Sequence, residues 1–102
     1  MTSTSLIIKQ EDNRRMYART IGKHVRAERT GRGITLVRLA ERVGIAKATL
    51  SRYELGQADI PLLTLLTVIE ELDMTCGAFF TAFDALFIQE EKSHADGGKV
   101  DA

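Results

Sequence analysis

A stripe of apolar residues with helical spacing runs into Gly44 and restarts two residues later, which constrains this stretch to a pair of short helices turning on one glycine. Leu36, Leu39, Ala40 and Val43 stand at i, i+3, i+4 and i+7, the spacing of one helix face. Thr35, just before them, is a residue type whose hydroxyl caps a helix start. Gly44, just after, permits the left-handed backbone that ends a helix sharply. The next helix is predicted from about Ala46 to Leu55, where Gly56 stops it.

The remaining segments have the same period, and none alternates with period two. A first helix is predicted from Asp12 or Asn13 to about Thr30, with Met16 or Tyr17, Ile21 and Val25 on one side, broken by Gly31-Arg32-Gly33. A fourth begins around Asp59–Pro61, a capping acid followed by a first-turn proline, and buries Leu62, Leu65, Leu66, Ile69 and Leu72. A fifth runs from about Thr75 to Gln89. The fold class is therefore all-α, with five helices. With 102 residues, 44% of them hydrophobic, the chain has room for one core. The expected division is a disordered arm over 1–10, a helical domain over 11–75, a C-terminal helix over 76–91 and a disordered polar tail over 92–102. Leu6, Ile7 and Ile8 have no role in this scheme. No apolar run approaches the ~20 residues that span a bilayer. The N-terminus lacks the charged-then-apolar order of a secretory signal. One cysteine, Cys76, permits no internal disulfide. These features predict a cytoplasmic protein with no membrane association.

Zero net charge conceals an asymmetry. Residues 14–57 hold eleven Lys and Arg against three acids, residues 58–102 two Lys against nine acids, and residues 1–13 one Lys against two. A basic half suits a polyanion, and an acidic half is better placed away from it. Two short helices joined through a glycine have the helix-turn-helix plan. At about 100° per residue, Ala46, Thr49, Leu50 and Tyr53 fall on one side of the second helix, and Lys47, Ala48, Ser51, Arg52 and Leu55 on the other. The second set suits base edges: Lys or Arg for guanine acceptors, Ser for several edges, Ala for a thymine methyl. An ordinary amphipathic surface helix has the same periodicity.

The residue pattern is more specific. Arg26 and Arg29, Gly33-Ile34-Thr35, Leu39-Ala40, Val43-Gly44-Ile45, Thr49-Leu50-Ser51, Glu54, Gly56 and the Leu62–Leu72 helix occur in order within residues 21–74. This half of the chain resembles the phage-repressor/Cro-type, or xenobiotic-response-element, family of bacterial and phage regulators. The resemblance implies a five-helix lambda-repressor-like domain that places its third helix in the major groove of double-stranded DNA. It puts Lys47, Ala48 and Arg52 at base-contacting positions, with Ser51 on the same face. It puts Thr49 and Gln57 near phosphates. Thr35 and Arg38, at the start of helix 2, are expected as further phosphate contacts. The resemblance also pairs Arg29 with Glu54. That pair is structural: a partly buried carboxylate needs a donor, and Arg offers a fork. The chain departs from the family at Leu36, where a phosphate-binding Gln is usual. It departs again at Arg38, where an acid completes the capping box, at Ala46, where Ser caps helix 3, and at Glu28, where a core leucine is common.

The chain carries no phosphate loop, nucleophile elbow or zincin motif. His24 and His94 are too unrelated in sequence to suggest a metal pair, so no metal, cofactor or enzymatic activity is expected. His24 is expected at the surface or on the phosphate side, and Cys76 in the interior. Phe79, Phe80, Phe83, Leu86 and Phe87 make one broad apolar face on helix 5, too wide for a small domain to cover, and are predicted to form a homodimer interface. The leading expectation is a dimeric, sequence-specific repressor. The alternative is an antitoxin whose acidic half binds a toxin partner while its DNA binding autoregulates. A third reading is a protein-interaction module without DNA.

Overall fold

The computed structural model describes residues 2–99, with side-chain surroundings for residues 11–89. Among them the regular structure is five helices: α1 (Thr2–Gly31), α2 (Leu36–Val43), α3 (Lys47–Glu54), α4 (Leu62–Glu71) and α5 (Cys76–Lys99). Two of these are longer than expected. α1 is helical through the segment expected as an arm, because no proline or glycine stands between residues 2 and 21 to stop it. α5 likewise continues past residue 91 to Lys99, and only residues 100–102 of the expected tail, with Met1 of the arm, lie outside the described residues. A 30-residue helix is about 45 Å long, and the molecule measures 45 × 24 × 22 Å. Its radius of gyration of 15.3 Å exceeds the about 13 Å of a compact domain this size.

The core sits where α1, α2, α3, α4 and the start of α5 converge. Val25, Leu39, Ala40, Leu50, Leu65, Val68, Ile69, Leu72 and Phe79 are buried there, with Ile21, Ile34, Val43, Ile45 and Met74 packed against them. The turn between α2 and α3 is built as its sequence requires. The Thr35 hydroxyl accepts from the Arg38 amide at 3.2 Å, capping α2. Gly44 has φ 85°, and its amide donates to the Ala40 carbonyl at 2.8 Å. A residue with a Cβ is strained in that conformation.

Five expectations are corrected. Leu62, expected in the core with the rest of its helix, opens α4 and is 65% exposed. Pro61 stands at the N-cap of α4, without a side-chain cap, and Asp59 accepts instead from Arg14 Nε at 2.7 Å, tying α1 to the α3–α4 loop. That contact holds the Arg14 guanidinium above its ordinary pKa through the hydrogen bond and charge of Asp59. His24 is buried, not superficial: its Nε2 donates to the Phe79 carbonyl at 3.0 Å, and its ring lies 4.2 Å from that of Phe79. A polar ring tolerates burial when its N–H has an acceptor. Cys76 is exposed, because it opens α5 directly after its capping residue: the Thr75 hydroxyl accepts from Ala78. Phe79 is fully buried and closes the core of its own chain, so it leaves no surface for a partner.

Candidate nucleic-acid interface

α3 is two-sided. Leu50 and Glu54 are buried, and Thr49 and Tyr53 half-buried. Lys47, Ala48 and Arg52 are exposed on the outer side, and Ser51 is half-buried there. The structure thus brings together the four side chains expected on one face. Among the described residues, neither the Lys47 nor the Arg52 side chain meets a carboxylate, whereas Arg14, Arg29 and Arg32 each pair with one. Ala46 caps α3 without a side-chain acceptor. Thr35 and Arg38 are exposed at the start of α2. Gln57 is exposed in the turn after α3 and lines a groove with Arg14, Arg15 and Asp59, apart from the outer face of α3. Thr49 lies on the inner side of its helix.

The inner side is fixed to α1 by a fork. Arg29 Nε donates to Glu54 Oε2 at 2.7 Å and Nη2 to Oε1 at 3.0 Å. The third arm, Nη1, donates to the Ile34 carbonyl at 2.8 Å. The two side chains are 11% and 5% exposed. Hydrogen bonding to Glu54 raises the Arg29 pKa from its ordinary value, against the burial that lowers it. One guanidinium thereby holds together the end of α3, the last turn of α1 and the loop leading into α2.

Gly22 permits this approach. A Cβ there would stand 2.5 Å from the Glu54 carbonyl oxygen and closer still to that of Tyr53. α3 therefore crosses α1 at backbone contact, and the loop glycine Gly56 meets α1 in the same way: a Cβ there would stand 2.8 Å from the Arg19 Cα. Gly22→Ala is expected to destabilise by roughly 1–3 kcal/mol, since the obstacle is backbone and cannot swing aside. Elsewhere in a helix the same change stabilises. Thermal melting reads the sign, and a rise in Tm would show that α1 and α3 are free to separate.

Sequence reasoning missed Gly22 and the burial of His24. It also left Arg26 out of the site, although Arg26 lines a shallow cleft with Leu36, Ser51 and Leu55 beside the outer face of α3. An isolated glycine within a helical pattern is a signal for close packing, and Gly22 carried it.

A helix-turn-helix family profile matches residues 25–79, from the last two turns of α1 to the buried Phe79. The chain belongs to the helix-turn-helix family of XRE, Cro/C1 type. Members are DNA-binding transcription regulators, not enzymes. No curated protein matches the chain. The helix-turn-helix fold here is similar to that in the crystal structure of the clp gene regulator ClgR from Corynebacterium glutamicum, with a TM-score of 0.73. The match covers 82% of this chain and 88% of that one at 21% identity, a likeness of fold: five helices, all-α and lambda-repressor-like. No helix among the described residues is long and apolar enough to cross a membrane.

Proposed function

We propose that this helix-turn-helix regulator is a sequence-specific repressor that binds double-stranded DNA as a homodimer, with the outer face of α3 in the major groove. One observation carries the reading. Lys47, Ala48, Ser51 and Arg52 share the outer face of a helix whose inner side is locked into the core and to Arg29. Exposed cations without protein partners are the groups that phosphates and guanine edges attract. Thr35, Arg38, Thr49 and Gln57 serve the DNA backbone in this reading. A fold neighbour described as a gene regulator is in keeping with it.

A single eight-residue helix reads few base pairs, and two copies on a two-fold axis read two half-sites about 34 Å apart. With Phe79 in the core, the proposed dimer face is Phe80, Phe83, Leu86 and Phe87 on α5. Phe87 shares its ring with Tyr17 of the same chain, stacked at 4.9 Å. Leu86 and Ile88 remain 37% and 54% exposed.

Titration of a duplex across ~50 to ~200 mM salt tests DNA binding through counterion release, which makes log K fall linearly with log salt. Arg38→Ala is expected to weaken all sequences alike and lower that slope by about one. Arg52→Ala and Lys47→Ala are each expected to cost roughly 1–3 kcal/mol on the preferred site and to relax its sequence. Affinity that is flat with salt, or equal losses on preferred and random DNA for Arg52→Ala, would contradict the assignment.

A further inference from the structure

We propose that this regulator discriminates bases chiefly through guanine acceptors and thymine methyl groups, with a face made of donors flanking an apolar centre. The inference rests on the DNA-binding reading above and specifies its ligand. At about 100° per residue the outer side of α3 runs in the order Lys47, Ser51, Leu55, Ala48, Arg52. The cations form the two edges. Ala48 is exposed between them, and Leu55, 54% exposed, continues the apolar centre at the far end of the helix.

What this face lacks is as informative. Adenine is read by the paired donor and acceptor of Asn or Gln, and the cytosine amino group by a carboxylate. No Asn, Gln or Asp stands in α3, and its single Glu, Glu54, is buried with both oxygens held by Arg29. The nearest amide, Gln57, lies past the helix end, in the groove beside Arg14 and Arg15. Direct readout is thereby weighted toward guanine, whose paired N7 and O6 acceptors suit Lys47 Nζ and the Arg52 guanidinium better than the single acceptors of adenine or thymine, and toward the thymine C5-methyl, for the Ala48 methyl. Ser51 can bond to several edges and discriminates little. From Lys47 to Arg52 the helix rises about 7.5 Å, which is about two base-pair steps. The core of each half-site is accordingly about three to four base pairs, with a guanine toward each end, on either strand, and a thymine methyl between.

The test uses the full chain and duplexes selected from random DNA. The expected consensus has this guanine–thymine–guanine arrangement. In the selected site, 7-deazaguanine at either guanine removes N7 and is expected to weaken binding roughly 5- to 150-fold if the contact is bidentate. Uracil for the central thymine removes one methyl and is expected to weaken it about fourfold. Arg52→Ala and Lys47→Ala should each abolish the 7-deazaguanine effect at one guanine and leave it at the other, and Ala48→Gly should abolish the uracil effect. A selected core without guanine at these positions overturns the inference, as does selective binding indifferent to both analogues, and in either case the DNA-binding reading survives. Absence of salt-dependent binding to any duplex overturns both.

Discussion

Replacing Glu54 or Arg29 by alanine is expected to cost about 3–5 kcal/mol of folding stability, a fall in Tm of roughly 10 °C or more for a domain of this size. Each change leaves a largely buried charge without its partner. Glu54 would lose both donors it has from Arg29, and Arg29 would keep only the Ile34 carbonyl. The double variant is expected to lose less than the sum of the two, because the second truncation removes the stranded charge. Calorimetry of the three variants decides it, and an unchanged Tm in both single variants would mean that the fork contributes nothing. Neither residue belongs to the outer face of α3, so any DNA binding that persists should keep its sequence preference.

Phe79→Ala is expected to be similarly severe, about 3–5 kcal/mol. The ring is fully buried against His24 and Phe80, with centroids 4.2 and 5.3 Å away, and its removal opens a cavity where α5 meets α1. Denaturant unfolding should show this loss at every protein concentration, as befits a residue of the monomer's own core. Leu86→Asp, on the exposed side of α5, is expected to leave the fold intact and weaken self-association in sedimentation. A Phe79→Ala protein as stable as its parent would put that ring outside the core. A Leu86→Asp protein that associates like its parent would remove α5 as the proposed interface.

Much of the reading side of the molecule was legible in the sequence. The stripe from Leu36 to Val43, the glycine at 44 and the two-sided pattern of 46–55 are local features. Their consequences are set by the 3.6-residue period and by the Cβ that glycine lacks. Which side chains α3 turns outward follows from that period once Leu50 is known to face the core. The ends of α1 and α5 were less legible. The start of α1 has no proline or glycine to stop it, whereas the end of α5 runs on through Gly97-Gly98, a pair that reads as a break in sequence. The two long helices pack side by side through pairs such as Tyr17 with Phe87.

By itself the sequence determined the all-α class, the helix–glycine–helix turn and the cationic outer face of α3, because each depends on residues within a few positions of one another. Only the tertiary structure decided which polar groups are buried and which apolar ones are spent. His24 is interior because the Phe79 carbonyl, 55 residues away, accepts a hydrogen bond from its ring. Asp59 belongs to Arg14 rather than to the start of α4. Phe79 belongs to the core while Leu86 does not. Gly22 is required because two helices cross at that point. These are consequences of long-range packing, in which a residue's role depends on what the rest of the chain places opposite it.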